Sequence, residues 1–452
     1  MSVMRFIIER SDEILTPIAG LSLVGHLMNK TSLKKRLSNT NVPGCIKPEI
    51  SHFNIVSSYV GLLCHGKNDF DHIEAYRDDD FFAYAMGIDT VPSSPTLRQR
   101  LDQAAPTSGW DKIIMEESVD LLNKVGAPLT PITLGNGQNK RCYLPLDVDV
   151  SPFDNSKTKK EGSSRTYKGF DGFAPIFAYL GQEGYLVNLE FREGKDHCQN
   201  GTAVFLKNSI QYANRVSSLP LLVRMDSGND SIENIMMFEN SQTKTDYIIK
   251  RNLRKEKPEE WLKTAQKHGD KQTPREGKTV YTGSIYRKNS MLDKEIRIVF
   301  QVVERTILSN GQTLLLPEIE VDTYWTSLPD PEKDIIRLYH EHGTSEQFHS
   351  ELKTDLDLER LPSGKFATNN LVLHLAALAY NILRILGQMT VKLPDQMVPL
   401  RKKAQRRRIR TVIQNLITMA AHIVKHSRQV KLRFGKQCAW WSVFNNINAA
   451  LT

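Results

Sequence analysis

The sequence is poor in cysteine. Its cysteines are scattered along the chain and form no CxxC pair: Cys45, Cys64, Cys142, Cys198 and Cys438. This odd, dispersed set argues against a disulfide framework and against a zinc site. We therefore expect the protein to work in a reducing cytoplasm.

The sequence also lacks the marks of export and of a membrane span. Its amino-terminal segment carries acidic residues ahead of a short apolar stretch broken by Pro17 and Gly20, unlike a signal peptide. The longest apolar run, residues 371–386, contains His374 and Arg384. Because a span needs about 20 apolar residues, this run favours a buried core helix, and no membrane partner is expected.

The carboxyl-terminal region has no acidic residue. Residues 401–452 hold twelve Lys and Arg and no Asp or Glu, whereas the remaining 400 residues hold 48 basic and 51 acidic groups. Such a localised basic stripe is typical of a protein that neutralises DNA phosphates. A solvated basic face has the same composition. The candidate phosphate contacts are Arg406, Arg407 and Arg408.

The length predicts two or three domains, because single cores rarely exceed roughly 250 to 300 residues. Helical periodicity dominates residues 1–136, which we expect to form a helical amino-terminal DNA-binding region. Within it, the segment from Pro92 to Thr96 would break the chain and offer an N-cap to a short basic helix carrying Arg98 and Arg100. A helix-turn-helix is one use of that helix, and a simple packing helix is the other.

Residues 137–251 have the pattern of alternating strands and helices. Apolar side chains alternate with Asp147 and Asp149 in the first strand, which ends near Val150. The later elements are predicted as strands 173–180 and 185–191, helix 201–214, strand 221–223 leading to Asp226, helix 231–239 and strand 247–249.

Residues 252–328 are predicted to form a separate β-rich insertion. Its strands are placed at 279–287, 295–305 and 313–321, with Asn310-Gly311 as a hairpin turn. Helices resume in residues 329–392, which carry Glu346, and continue through a basic helical region, 393–452. This order predicts an α/β protein with a ribonuclease H-like catalytic core that the insertion interrupts, between helical terminal regions.

Three acids occupy suitable places for phosphodiester chemistry. Asp149 lies on the first strand, Asp226 follows the fourth, and Glu346 lies on the helix after the insertion. Two hard cations, about 3.5 to 4 Å apart, can activate a hydroxyl and stabilise a leaving oxygen, and they take oxygen ligands. A single acid at a strand end is more often a turn former, so the joint arrangement carries the prediction.

The helix around Glu346 has one polar stripe. Tyr339, His342, Glu346 and Lys353 fall within roughly 60° of arc at about 100° per residue. One face of this helix could meet one DNA end. A solvated face of an amphipathic helix would show the same spacing.

These residues resemble the DDE transposases of bacterial insertion sequences. The resemblance is to the group 1 branch, with a β-strand insertion and a Tyr, Arg, Glu, Lys signature, matched here by Tyr339, His342, Glu346 and Lys353. It covers roughly residues 90 to 440 and extends to 146–149, 224–228, 358–366, 369–370, 375–386 and the basic carboxyl-terminal segment.

The resemblance implies that Asp149, Asp226 and Glu346 bind two Mg²⁺ or Mn²⁺ ions. Lys353 and Tyr339 would contact phosphates of the transposon end. His342 stands where the family has arginine and keeps a full charge only near or below pH 6.5, so Arg337 or His340 could assist. Asp147 shares a strand face with Asp149 and is an outer partner or the alternative ligand.

Trp325 resembles a tryptophan that stacks on a base flipped out of a DNA hairpin, although packing at a strand end is the plainer role. The resemblance implies cut-and-paste transposition by a homodimer on double-stranded DNA, with terminal inverted repeats and target DNA as partners, at the bacterial nucleoid. Two alternatives stay open: a ribonuclease H-like nuclease without strand transfer, and an inactive transposase-derived DNA-binding protein.

Overall fold

The computed structural model describes the chain except for residues 1–3, 5, 46, 136–139, 240–244, 290, 292, 401–402 and 428. It separates into two compact units. The first unit comprises residues up to Ile113, Asp355–Asp357 and Leu378–Thr452, and the second unit comprises Ile114–Thr354 and Leu358–Ala377. The division of the sequence into five segments stays a prediction.

The helices of the described residues include α-helical, 3₁₀ and π segments. The α-helices are α1 (Leu21–Asn29), α2 (Leu33–Ser38), α3 (His52–Cys64), α4 (Asp80–Met86), α5 (Ser94–Ala104), α6 (Trp110–Lys124), α7 (Thr202–Val216), α8 (Ile232–Glu239), α9 (Pro258–His268), α10 (Glu332–Glu341), α11 (Ser345–Ser350), α12 (Phe366–Lys392), α13 (Ile409–Val412) and α14 (Trp441–Leu451). The 3₁₀ segments include Phe70–Tyr76, Ser227–Asn229, His342–Thr344 and Asp395–Met397, and the π segments are Glu351–Asp355 and Ile413–Ile417.

The strands of the described part of the chain fall into three sheets. They are β1 (Leu15–Thr16), β2 (Ile132–Leu134), β3 (Arg141–Val150), β4 (Phe153–Asp154), β5 (Ser164–Arg165), β6 (Asp171–Phe173), β7 (Ile176–Leu180), β8 (Tyr185–Glu190), β9 (Leu221–Met225), β10 (Thr245–Lys250), β11 (Gly269–Arg275), β12 (Lys278–Asn289), β13 (Lys294–Ile307), β14 (Thr313–Thr326), β15 (Ala421–His426) and β16 (Gln429–Phe434).

A large mixed sheet organises the second unit. Its strand order is β11-β12-β13-β14-β10-β9-β3-β7-β8, and β2 pairs with β3. Strands β3, β9 and β10 are parallel, whereas β7 and β8 add as an antiparallel meander. Because β7 and β9 are buried along their whole length, the sheet centre lies in the core, as expected for parallel strands covered on both faces.

The inserted strands extend this sheet instead of forming a separate body, so that part of the prediction is wrong. The end of β14 pairs antiparallel with β10, with Ile249 opposite Trp325. This pairing covers an edge of β10 that would otherwise expose unpaired backbone groups. Gly311, in the left-handed region at φ 87°, lies between β13 and β14, at the predicted Asn310-Gly311 turn.

The first unit is mostly helical, with a small sheet that joins the two ends of the chain. Strand β1 pairs with β15, and β15 pairs with β16. The expectation of a wholly helical 393–452 region is therefore wrong. The β-branched run Ile423-Val424 alternates buried and half-buried positions, which suits a hairpin better than a helix.

Two further predictions about helices can be compared with the structure. Ser93 caps α5 through a hydrogen bond from the Thr96 backbone N–H to its hydroxyl. Arg100 is buried there and donates to the Ile50 carbonyl, so only part of the basic face of α5 is open to a partner. Helix α12 is long and apolar enough to cross a bilayer by composition, but 94% of its apolar window is buried inside the protein.

Candidate active site

The two candidate aspartates lie at the same edge of adjacent parallel strands. Asp149 is the penultimate residue of β3, and Asp226 directly follows β9. The register places Val148 of β3 opposite Met225 of β9, one residue before each aspartate. The carboxyl ends of these strands therefore bring Asp149 and Asp226 together.

Glu346 belongs to the same cavity. A cavity of about 740 Å³ is lined by Asp149, Asp226, Glu346, Tyr339, His342 and Lys353, among others. The four stripe residues thus share one face, although the helix is not continuous. A 3₁₀ turn follows α10 and a π segment follows α11. Glu346 is therefore preceded by a tightened turn and followed by a widened one.

Asp147 is already occupied by protein partners. The Arg224 Nε and Nη2 atoms donate to its two oxygens at 2.6 and 2.8 Å, and His342 Nδ1 lies 2.9 Å from Oδ1. The side chains are all buried. Burial opposes ionisation, but the Arg224 and His342 charges outweigh it and hold the pKa of Asp147 below its ordinary value.

Asp149 keeps contact with the cavity. Its Oδ2 lies 3.2 Å from His349 Nε2, and its Oδ1 accepts a hydrogen bond from the Val150 backbone N–H at 2.8 Å. Burial opposes ionisation here also, but the hydrogen bond and charge of His349 keep the pKa of Asp149 below its ordinary value. Both aspartates are therefore ionised, but Asp149 lines the cavity and Asp147 does not.

Asp226 carries the opposite shift. Burial and the negative charge of Asp149 raise the pKa of Asp226. A hydrogen bond from Asn229 Nδ2 to Asp226 Oδ1, at 2.8 Å, offsets only part of this rise. The two carboxyl groups thus repel each other in a buried site. A bound divalent cation would offset this repulsion, so the pair fits a metal site.

The third candidate carboxylate, that of Glu346, lies on a helix and not on the sheet. Glu346 is exposed on α11. Among the described residues, no group of three His, Cys, Asp or Glu side chains is arranged to hold a metal ion. The three acids therefore share a cavity lining without forming a complete set of metal ligands in this arrangement.

Lys353 and Tyr339 line the cavity beside the acids. Lys353 Nζ donates to the Pro152 carbonyl at 2.6 Å and lies 5.4 Å from the centre of the Phe153 ring. Burial lowers the pKa of Lys353 to about 8. The pKa of Tyr339 is raised by burial and then by the charges of Asp226 and Asp149.

His342 has a different partner from the one the sequence predicts. Its ring is 5% exposed and bonded to Asp147, so it is not free to meet a phosphate in this arrangement. Its neighbours Arg337 and His340 are exposed. The Arg337 guanidinium is bonded to Glu341 at 2.8 Å and to Asp334 at 3.2 Å. His340, which also lines the cavity, has the more open position for assisting there.

Trp325 is engaged in packing, the alternative that the sequence left open. It is 9% exposed, its indole N–H donates to Asp230 Oδ1 at 2.9 Å, and the Arg251 guanidinium lies 4.7 Å from its ring centre. The indole N–H is therefore bonded to Asp230, and the ring lies against the Arg251 guanidinium. Stacking on a flipped base would need this packing to open.

The predicted arginine trio of the first unit divides in the structure. Arg407 is buried, and its Nε atom donates to the Thr390 hydroxyl. Arg408 is half-exposed and forms two hydrogen bonds with Asp355. Arg406 is half-buried. DNA contact by these three arginines stays a prediction.

Several cavity residues were missed from the sequence, and His349, Tyr167 and Lys168 are the ones with chemically useful side chains. His349 lies between Glu346 and Lys353 at spacings of three and four residues, so the polar stripe itself already includes its position. Tyr167 and Lys168 lie between β5 and β6 and also line the cavity. No periodicity marks a loop, which explains why these two gave no signal.

The chain can be compared with known proteins. The family described as Transposase DDE domain group 1 matches residues 9–452. Among solved structures, the chain is similar to the piggyBac transposase in a cryo-electron microscopy structure of its synaptic complex with hairpin DNA. The sequence identity is 10% and the TM-score 0.41, over 82% of this chain and 74% of that chain.

No curated protein matches the chain. The family match includes every residue of the cavity and nearly the whole sequence. The chain therefore belongs to the transposase DDE domain group 1 family.

Proposed function

We propose that this protein cuts DNA at terminal inverted repeats and joins the freed 3′ ends to target DNA, by cut-and-paste transposition. The observation that carries the proposal is the pairing of Asp149 and Asp226 at neighbouring strand ends, in one cavity with Glu346. The family membership of the chain gives the same direction, since it is a transposase family.

The strand arrangement supports a ribonuclease H-like core. Strands β10, β9 and β3 are parallel neighbours, and β7 and β8 continue from β3 as an antiparallel meander. A ribonuclease H-like fold would place an acid on the first strand, an acid after the fourth and a third acid on a later helix. Asp149, Asp226 and Glu346 have these positions in the chain.

The acids would hold the metal ions that the reaction needs. Two Mg²⁺ or Mn²⁺ ions bound there would make a hydroxyl nucleophilic and stabilise the leaving oxygen. Asp149 is the ligand we favour on β3, because both oxygens of Asp147 are bonded to Arg224. Asp147 then acts as an outer partner that holds Arg224 and His342 beside the site.

The cavity mouth would bind the DNA end. Lys353 and Lys168 offer cations beside the acids, and Tyr339 and Tyr167 offer hydroxyl groups and rings. These groups can meet phosphate oxygens and position the scissile bond over the carboxylates. The basic 401–452 segment would add contacts to double-stranded DNA, in line with its charge.

Pairing of two transposon ends implies a homodimer assembled on DNA. The resemblance to transposases of bacterial insertion sequences also implies a bacterial protein that works in the cytoplasm at the nucleoid. The homodimer and the location are both parts of the proposal.

A supercoiled-plasmid assay tests the proposal. The plasmid carries the inverted repeats that flank the coding sequence, and cleavage by Asp226→Asn is compared with the wild type in Mg²⁺. We expect a loss greater than about 100-fold, because removal of even an outer partner of a metal ligand costs roughly 10- to 100-fold. The matched control is Asp293→Asn, an exposed turn residue with φ 46°, which asparagine tolerates.

The products separate the rival functions. Joined products from a labelled, pre-cut end support strand transfer, whereas cleavage without joining indicates a nuclease. Binding without cleavage by the wild type indicates an inactive DNA-binding protein. Equal cleavage by wild type and Asp226→Asn would remove Asp226 from the site.

A further inference from the structure

His349 connects the Asp149 carboxylate to a buried tyrosine. Its Nε2 atom lies 3.2 Å from Asp149 Oδ2, and its Nδ1 atom lies 3.2 Å from the Tyr179 hydroxyl. Tyr179 is fully buried and His349 is 6% exposed. The three groups therefore form a chain of hydrogen bonds that water does not interrupt at its inner end.

The chemistry of the three groups fixes the direction of these bonds for a neutral imidazole. An ionised carboxylate only accepts, so Nε2 must carry the proton and donate to Asp149. Nδ1 then accepts, and the Tyr179 hydroxyl donates to it. The Asp149 carboxylate therefore selects the tautomer, and the Tyr179 hydroxyl, as the donor to Nδ1, supports it.

The imidazole ring is also held in place by packing. Its centre lies 5.4 Å from the Phe177 ring and 5.3 Å from the Tyr179 ring. Both aromatic residues belong to β7, which pairs with β3 beside Asp149. The donor atom is thus positioned by the sheet as well as by α11.

Asp149 has both of its oxygens anchored as a result. Oδ2 faces His349, and Oδ1 accepts the Val150 backbone N–H. Each oxygen keeps a further lone pair for the cavity. Asp226, by comparison, accepts a hydrogen bond from Asn229 Nδ2 at Oδ1.

We propose that His349, oriented by Tyr179, is a positioning residue that fixes the Asp149 carboxylate for binding a divalent cation. This inference rests on the proposed function, because it assumes that Asp149 is a metal ligand. Outer hydrogen-bond partners of metal ligands orient the ligand and reduce the rotational freedom that is lost on binding.

The test measures Mn²⁺ affinity directly, by the electron paramagnetic resonance signal of free Mn²⁺ in titrations of the full chain without DNA. We expect His349→Ala to weaken binding by about 10- to 100-fold, as for loss of other outer partners. His349→Gln keeps an amide N–H near the Nε2 position and should stay within about threefold of the wild type. Tyr179→Phe should lie between these two variants.

Tyr247→Phe is the matched control. Tyr247 is also a buried tyrosine, and its hydroxyl donates to Glu239 at 2.7 Å, outside the cavity lining. It should lose stability, as read from thermal unfolding, without a change in Mn²⁺ affinity. A merely structural role of His349 would give the same pattern as this control.

The outcomes separate this inference from the proposed function. Asp149→Asn should abolish most Mn²⁺ binding; if it does so while His349→Ala binds like the wild type, the inference is wrong and the proposed site stands. Equal losses in His349→Ala and His349→Gln would also overturn it. Unchanged binding by Asp149→Asn, or no binding by the wild type, would overturn the metal site and the inference together.

Discussion

Asp147 and Asp149 are the same residue type on the same face of one strand, yet their surroundings differ. Asp147 faces Arg224 and His342 and is 1% exposed. Asp149 faces His349 and the cavity, with its side chain 19% exposed. Asp147 therefore has its charge compensated by Arg224, whereas Asp149, two residues further along β3, is open to a ligand.

The acids of this region differ in the charged groups that the fold places beside them. Arg224 compensates Asp147 through two hydrogen bonds and also donates to the Leu338 carbonyl of α10 at 2.8 Å. No arginine or lysine of the described residues forms an ion pair with Asp226. Partners, more than the residue type, decide which acid can serve a metal.

The largest expected effect on stability comes from removing the charge of Asp147, which is paired with Arg224. Asp147→Asn leaves the Arg224 guanidinium buried with incomplete compensation. Breaking a buried ion pair in this way typically costs about 3–5 kcal/mol. The midpoint of urea-induced unfolding, followed by circular dichroism, should fall accordingly.

The matched variant is Asp149→Asn, which removes one of two mutually repelling carboxylates. Its loss of stability should be smaller, about 1 kcal/mol, the net value of a typical hydrogen bond. Activity should follow the opposite order, with Asp149→Asn the less active of the two per folded molecule. Equal unfolding midpoints for the two variants would contradict the comparison.

Lys353 extends the comparison to a cation at the cavity. Its pKa of about 8 is below the ordinary value because burial disfavours the ammonium form. The folded protein therefore releases this proton more readily than the unfolded chain does. Burial of the charge lowers stability below pH 8, and this cost is relieved as the pH rises from about 8 towards the ordinary lysine value.

DNA binding should change with pH in the other direction. As the pH rises through about 8, Lys353 loses its charge, and affinity for a transposon-end duplex should fall by up to about tenfold, the worth of roughly 1.4 kcal/mol. Lys353→Arg keeps its charge and should remove this dependence. Fluorescence anisotropy between pH 7 and pH 9 at fixed salt measures it, and parallel curves for the two proteins would exclude the contact.

The smallest expected effect concerns Trp325. Trp325→Phe keeps an aromatic ring but loses the hydrogen bond to Asp230, at a cost of about 1 kcal/mol. Strand cleavage per folded molecule should stay at the wild-type rate if the ring only packs. A loss of hairpin-forming activity per folded molecule would instead support base stacking.

The sequence predicted the parts of the fold that depend on local pattern. The alternation through Asp147 and Asp149 predicted β3, the apolar run at 221–223 predicted most of β9, and Asn310-Gly311 predicted the turn before β14. These signals are short-range, because strand faces and tight turns are written into consecutive residues. The placing of three distant acids in one cavity was predicted from their element types and from the family resemblance.

The remaining features depend on contacts between distant residues. Helix α9 lies in a Lys- and Glu-rich stretch and buries only Trp261 and Ala265, so its apolar signal is weak. The pairing of β14 with β10 and the burial of Arg407 are decided by tertiary packing. The same holds for His342, whose partner Asp147 lies 195 residues away in the sequence.

The hairpin of β13 and β14 has a tip that can vary in length and a base, where β14 pairs with β10, that cannot. The tip, residues 308–312, lies beyond the ladder that joins β14 to β10, so added residues there would leave the cavity as it is. A single deletion within residues 324–326 would exchange the two faces of the strand and pull on α10 a few residues later. Homologous chains should therefore differ freely in length at the tip and keep a fixed count from Tyr324 to Glu346.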